Sequence, residues 1–318
     1  LNFVAERFLT TTQTVRRYYE QNTRLFLRFG SATRSRSIHR AVWSKDAYSL
    51  EDSLNFSNAR VLDELHSLCD ERNLTSASVI DLGCGVGGSL DYLLRNSRHS
   101  LHAVGVTLSG WQAKHARAVL QQRTSVLEAD FQHLPFARCF DLAYAIESFV
   151  HSPDASRFFA QTANALRYKG RLIVCDDVLA ERELRAFDHT EGILSGTSVA
   201  AMSRRKETRY SPSEFSAIER FWLDAYRRGW QANSLIASRE LIRLAREQGF
   251  KLLRDENFTP MLRLRALPNP LAHFALRLGE KFSGVHAIVP SSLGSIALQQ
   301  ALRDGVIEYR FMVFEYVG

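Results

Sequence analysis

Asp81 stands two residues before Gly83 in the run Val79-Ile80-Asp81-Leu82-Gly83-Cys84-Gly85-Val86-Gly87-Gly88-Ser89. Apolar β-formers lead into the glycines, and a helical pattern with Leu90, Leu93 and Leu94 on one face follows. A strand, a tight turn and a helix N-terminus together form a cradle for a nucleotide-bearing cofactor. The spacing of Gly83, Gly85 and Gly88 also fits a dinucleotide fingerprint, which is weak evidence by itself. The acid decides between the two. A pyrophosphate on this turn would be repelled by the carboxylate, whereas the ammonium and sulfonium of S-adenosylmethionine would be attracted.

Three further strand ends carry polar groups in the order such a site requires. The second is Gly105-Val106-Thr107-Leu108-Ser109-Gly110-Trp111-Gln112. Thr107 and Gln112 replace the acid that commonly holds a ribose diol, and both can hydrogen-bond hydroxyls without charge. A plain turn with Ser109 as N-cap uses the same residues and is compatible with that role. The third end is Glu128-Ala129-Asp130-Phe131, where the Asp130 carboxylate suits an exocyclic amine and the Phe131 ring suits an adenine face. The fourth is Ala145-Ile146-Glu147-Ser148-Phe149-Val150-His151. Ligands of open α/β sheets lie beyond the carboxyl ends of the strands, so Glu147 and His151 fall where methyl donor and acceptor meet. The same pair could hold a metal, although two ligands do not define one.

These ends require a regular alternation of strands and helices. Strands are expected at Val79–Leu82, His102–Thr107, Val126–Ala129, Phe140–Ile146 and Arg171–Cys175, with helices at Leu90–Asn96, Gly110–Gln122 and Ala155–Leu166. Helical patterns also cover residues 1–30 and Asn55–Asn73, separated by a polar loop over residues 31–53. The alternation breaks near residue 180 and returns with Ser238–Gln248 and a strand at Phe250–Arg254. Residues 258–306 read as largely helical, and Tyr309–Tyr316 as a last, antiparallel strand that closes the sheet. The expected fold is α/β: a Rossmann-like, doubly wound, mostly parallel sheet with N-terminal helices and an inserted helical lid. Its units are a helical cap over residues 1–55, a cofactor-binding core over 56–180, a lid over 181–236 and a completion of the core over 237–318.

The chain has 318 residues, 45% of them hydrophobic, enough for one large domain with additions. Its 41 Lys and Arg against 34 Asp and Glu give a net charge of +7. Arginines cluster around Arg36 and Arg40 and again at Arg204 and Arg205. Guanidinium forks suit phosphate or carboxylate groups, and no nucleic-acid-binding motif accompanies them. A small phosphorylated substrate is therefore favoured over nucleic acid. The 4 cysteines show no metal or disulfide spacing, which points to a reducing, cytoplasmic setting. No apolar run reaches the ~18 residues of a membrane span. No secretory leader opens the chain, which begins at Leu1 and reads as trimmed.

The segments DLGCGVGGS (81–89), GVTLSGWQ (105–112), EADFQHLPF (128–136) and FDLAYAIESFVHSPD (140–154) resemble class I S-adenosylmethionine-dependent methyltransferases. Within them they are most similar to the branch of sterol, tocopherol and prenyl-diphosphate C-methyltransferases. The resemblance implies an enzyme that binds the cofactor through Asp81, Gly83, Gly85, Thr107, Leu108, Gln112, Asp130 and Phe131. The stretch Val15-Arg16-Arg17-Tyr18-Tyr19-Glu20 resembles that branch's tyrosine-containing helix, which closes over the cofactor and places Tyr18 beside it and Tyr19 near the chemistry. Where the branch often has a neutral aromatic stretch, this chain has the basic SATRSRSIHRAVW. The expected acceptor is an isoprenoid alkene, foremost a prenyl diphosphate. O- or N-methylation of a small natural product is the alternative. Alkene attack leaves a carbocation, which needs an apolar, π-rich pocket and a carboxylate. Glu147 is the expected carboxylate, with Phe149, Tyr210, Trp222 and Tyr226 as walls. Arg36, Arg40, Arg204 and Arg205 would bind the diphosphate, with Glu147 and His151 holding Mg²⁺ only in that case. Exchange of the N-terminal helix between subunits of a homo-oligomer is compatible with the pattern.

Overall fold

The computed structural model describes residues 11–29, 39–181, 215–280 and 288–318. Helices α1 (Thr11–Phe29) and α2 (Leu50–Arg72) precede β1 (Ser76–Leu82), α3 (Gly88–Asn96), β2 (Ser100–Thr107), α4 (Gly110–Leu120) and β3 (Thr124–Glu128). Then come β4 (Phe140–Ile146), a 3₁₀ turn at Phe149–His151, α5 (Ala155–Ala165) and β5 (Leu166–Leu179). Beyond the undescribed segment lie α6 (Ala217–Trp230), α7 (Ser238–Glu247), β6 (Phe250–Asn257), α8 (Asn269–Glu280), α9 (Ile288–Arg303) and β7 (Ile307–Tyr316). No helix among the described residues is long and apolar enough to cross a membrane, and all four cysteines are free.

The seven strands form one sheet in the order β3-β2-β1-β4-β5-β7-β6. Strands β1 to β5 pair in parallel. The antiparallel last strand is as expected, but β7 lies between β5 and β6 rather than at the rim. Both faces are covered, and successive residues of each central strand feed opposite cores. Val79, Leu142, Ile173 and Val313 pack on the α2 side with Val61 and Leu65. Their neighbours Ile80, Ala143, Leu172 and Phe314 pack on the α5 side with Phe158 and Phe159.

Element boundaries differ from expectation where long-range partners act. Helix α2 starts inside the expected loop, because Ser49 caps Asp52 while the Asp52 side chain returns to the Ser49 N–H. Strand β5 runs well past Cys175, since β7 pairs with it from Arg171 to Leu179. Helix α6 shares one apolar cluster with α8 and α9 through Trp222, Tyr226, Leu276 and Leu298. A Cβ at Gly229 would sit 2.4 Å from the Pro290 carbonyl oxygen, so only glycine permits this approach of α6 to α9. The expected lid is thus continuous, over its described part, with the C-terminal helices.

The strand order reverses between β1 and β4. Chain leaving these two strands diverges and opens a crevice at their carboxyl ends. Asp81 sits near the end of β1, beside Gly105 of β2 and Tyr144 of β4, and is 3% exposed. Burial pushes its carboxyl up from 3.8 to about 7. The fold therefore favours the protonated form. Its contribution to stability is greatest in acid and is lost as the pH rises from about 4 to about 7. Asp81→Asn removes this ionisation. The variant is expected to be more stable than the parent at pH 8, by about 2–3 kcal/mol, with the gap closing toward pH 5. Denaturant midpoints at the two pH values check this.

Candidate functional site

The crevice holds a cavity of about 460 Å³, within the ~300–1,000 Å³ typical of small-molecule sites. Its wall brings together Gly83, Gly85, Thr107, Leu108, Gln112, Asp130 and Phe131 from three consecutive strand ends. Glu147 and His151 reach it from the chain after β4, and Tyr18 and Tyr19 from α1.

The glycines have different jobs. A Cβ at Gly83 would lie 2.3 Å from Ser148 Cβ, so that position lets the β1 turn touch the chain after β4. Gly85, at φ +52, faces open space with nothing within 4 Å. It borders the cavity where a bound molecule can approach the backbone. Asp81 does not line the cavity; it lies buried near the foot of the turn. This corrects the expectation of direct cofactor contact, because the Asp81 side chain is enclosed by the sheet.

Thr107 Oγ1 donates to Gln112 Oε1 at 2.6 Å, and Gln112 Nε2 donates to Thr23 Oγ1 at 2.8 Å. Thr23 in turn donates to the Tyr19 carbonyl at 2.6 Å. The hydroxyl and amide expected at a ribose are therefore present and tied to α1. Asp130 Oδ1 accepts from the Gln132 N–H at 2.9 Å, and Oδ2 from Thr12 Oγ1 at 3.3 Å. Arg16 pairs with Glu128 one turn further along α1. Helix α1 is thus bound to the first turn of α4 and to the end of β3 by residues on one face, at positions 12, 16 and 23. The sequence reading missed these ties; the i, i+4 spacing of Thr12 and Arg16 before Tyr19 was the available signal.

Tyr19 Oη lies 2.5 Å from His151 Nε2, and His151 Nδ1 lies 3.3 Å from the Gln231 carbonyl oxygen. A carbonyl only accepts, so Nδ1 carries the proton and Nε2 accepts from Tyr19. Burial lowers the His151 pKa to about 4, keeping the ring neutral at physiological pH. With both nitrogens engaged, His151 offers no lone pair to a cation. Among the described residues there is no cluster of three or more His, Cys, Asp or Glu able to hold a metal. The geometry does not fit Glu147 and His151 as a Mg²⁺ pair.

Glu147 adopts φ +49. Its N–H donates to the Cys175 carbonyl at 2.9 Å, and its Oε1 accepts from the Arg40 N–H at 2.8 Å. The Arg40 side chain points elsewhere. Its guanidinium forks onto Asp177 at 2.5 and 2.6 Å and lies 4.8 Å from the centre of the Tyr309 ring. That cation is already compensated, which corrects Arg40 as a diphosphate ligand. Phe149, Trp222 and Tyr226 are 0% exposed and pack in the two cores rather than on the cavity wall. Aromatics at helical spacing have gone to the interior, and the Tyr226 hydroxyl donates to Asp177 at 2.5 Å. Trp230 instead reaches the wall, its Nε1 held by the Ser291 carbonyl at 3.0 Å. Arg36, Arg204, Arg205 and Tyr210 lie outside the described residues.

Asp176 and Asp177 were not anticipated. Asp176 accepts from the Val150 N–H at 3.0 Å and so holds the turn that carries His151. Burial pushes its carboxyl well above the usual range. The signal was an acid pair interrupting the apolar strand RLIVCDDVL at its carboxyl end.

A sequence profile of a methyltransferase domain matches residues 80–174. Methyltransferase GfsG of Streptomyces halstedii is 31% identical over 166 residues, covering 51% of this chain and 57% of that protein. Chloroplastic tocopherol O-methyltransferase of Arabidopsis thaliana is 34% identical over 131 residues, covering 39% of this chain and 35% of that protein. The match thus spans less than two thirds of either relative. In fold, the chain resembles geranyl diphosphate C-methyltransferase of Streptomyces coelicolor A3(2), solved with Mg²⁺, geranyl diphosphate and S-adenosyl-L-homocysteine. That likeness has a TM-score of 0.60 at 17% identity and covers 98% of this chain and 99% of that one. Residues 80–174 therefore match a methyltransferase domain, and the glycine turn and polar strand ends over β1 to β5 resemble those of class I S-adenosylmethionine-dependent methyltransferases.

Proposed function

We propose that the chain transfers a methyl group from S-adenosylmethionine to a hydroxyl of a small acceptor with an apolar body, and that Glu147 takes the proton the acceptor loses. The observation that carries this reading is the single cavity shared by the strand-end polar groups and Glu147. Bound S-adenosylmethionine supplies an electrophilic methyl carbon, which leaves sulfur with its bonding pair staying behind. Thr107 and Gln112 would hold the ribose hydroxyls, and Asp130 with Phe131 the adenine. Asp81, enclosed below the turn, favours a cation above it. The walls orient the acceptor for in-line attack, a contribution of several kcal/mol in well-positioned reactions. Glu147 then accepts the hydroxyl proton as the new C–O bond forms. The neutral Tyr19–His151 pair offers an uncharged polar partner to the acceptor. Relatives named as O-methyltransferases support oxygen as the acceptor atom.

A second reading, C-methylation of an isoprenoid alkene, is supported by the likeness in fold to geranyl diphosphate C-methyltransferase. Glu147 would then remove a proton from the carbocation. A diphosphate head group calls for cations, and the cation of Arg40 is paired with Asp177. Mg²⁺ belongs to this reading alone, brought with the diphosphate.

Glu147→Gln is expected to bind S-adenosylmethionine as the parent does and to lose about 10²–10⁴-fold in turnover. Label transfer to a γ-tocopherol-type phenol and to geranyl diphosphate, with and without Mg²⁺, provides the assay and separates the two readings. Full activity in this variant overturns the role of Glu147. A cationic cofactor draws the Asp81 pKa down from about 7. Affinity is therefore expected to rise between pH 6 and 8, with proton release. Calorimetry in two buffers measures both, and Asp81→Asn is expected to abolish the pH dependence and weaken binding.

A further inference from the structure

We propose that Asp177 is a positioning residue for Glu147, acting through Arg40. Glu147 is a non-glycine residue with left-handed backbone, a conformation that persists where surrounding contacts over-determine it. One of those contacts joins its carboxylate to the main-chain N–H of Arg40. Arg40 belongs to the connection between α1 and α2, so an N–H at that point is only as well placed as the chain that carries it. The Arg40 side chain supplies the anchorage. Both its terminal nitrogens bond Asp177, whose side chain is 0% exposed, and the Tyr309 ring lies against the guanidinium. Tyr226 donates to Asp177 Oδ2, leaving that carboxylate little freedom. A bidentate fork fixes orientation as well as distance. The order is therefore Tyr226 to Asp177, Asp177 to the Arg40 guanidinium, and the Arg40 N–H to Glu147. The ion pair also compensates its own charge, so Glu147 is held by a neutral peptide donor.

This assignment rests on Glu147 being the proton acceptor proposed above, but its test does not need turnover. The charged and titratable groups around Glu147 are Tyr19 of α1, His39 and Arg40, Cys175 and Asp176 of β5, and Tyr309 of β7, with Asp177 behind Arg40. The full chain is labelled with ¹³C at glutamate Cδ, and the Glu147 signal is identified by its loss in Glu147→Gln. Its titration is then compared in the parent, Asp177→Asn and Tyr226→Phe. Charge alone and positioning predict opposite signs. Removing the Asp177 charge would by itself leave the Arg40 cation uncompensated and lower the Glu147 pKa. Release of the Arg40 N–H removes a bond to the ionised carboxylate and raises it. The expected result is a rise of about half a unit or more in Asp177→Asn, and a smaller rise in Tyr226→Phe, where no charge is removed. An unchanged or lowered value in Asp177→Asn overturns the proposal. If Asp177→Asn does not fold, the sign in Tyr226→Phe decides. Wild-type turnover in Glu147→Gln would instead remove the catalytic reading while leaving this geometric test standing.

Discussion

Ser148 lies so close to the turn after β1 that one methyl group at Gly83 would overlap it, and its hydroxyl donates to the Leu82 carbonyl at 2.5 Å. This contact stitches together the two strands between which the sheet reverses its order. Strands on one side lead away through β2 to β3, and those on the other through β5 and β7 to β6. The chain after β1 and the chain after β4 must part company above the stitch, and the cavity occupies the gap. The residues suited to a nucleoside lie on one side and Glu147 and His151 on the other. Their separation is set by the sheet, whose strands lie about 4.8 Å apart, and not by loop conformation.

The carboxyl edge of this sheet encloses Asp81, Asp176 and Asp177, and each is stabilised differently. Asp81 has few compensating partners and tends toward its neutral form. Asp176 accepts two backbone N–H groups yet is also pushed toward neutrality by burial and by its neighbour. Asp177 keeps a full counter-ion in Arg40. Breaking such a buried pair on one side is costly, because the remaining charge has no water to turn to. The edge therefore presents a cavity whose fixed charges are mostly settled within the protein before any ligand arrives.

The sheet and the strand-end polar groups were legible in the sequence because each βα unit is local. The residues that line the cavity follow their strand within a few positions, as Thr107, Asp130 and Glu147 do. The acidic turn was legible for the same reason. Contacts between distant segments were not. Arg40 and Asp177 are separated by 137 positions, and neither segment announces the other. Read alone, Arg40 belongs to a basic cluster and suggests an anion, whereas the fold provides the anion itself. Phe149, Trp222 and Tyr226 show the complementary error. An aromatic ring carries no label distinguishing a cavity wall from a core, and burial of apolar area favours the core.

Helix α1, about 28 Å long, touches Asp130 near one end, His151 at its middle and Gln112 beyond. Two of those partners are groups suited to a nucleoside, and the third, His151, lies across the cavity beside Glu147. A cofactor that draws on Asp130 or Gln112 competes with Thr12 and Thr23 for the same atoms. On the proposed function, filling one half of the cavity alters the free energy of filling the other, and by reciprocity the acceptor alters the grip on the cofactor to the same extent. Under the proposed function, the N-terminal helix couples the two halves of the cavity through hydrogen-bonding groups that it shares with the nucleoside side, the Asp130 carboxylate and the Gln112 amide.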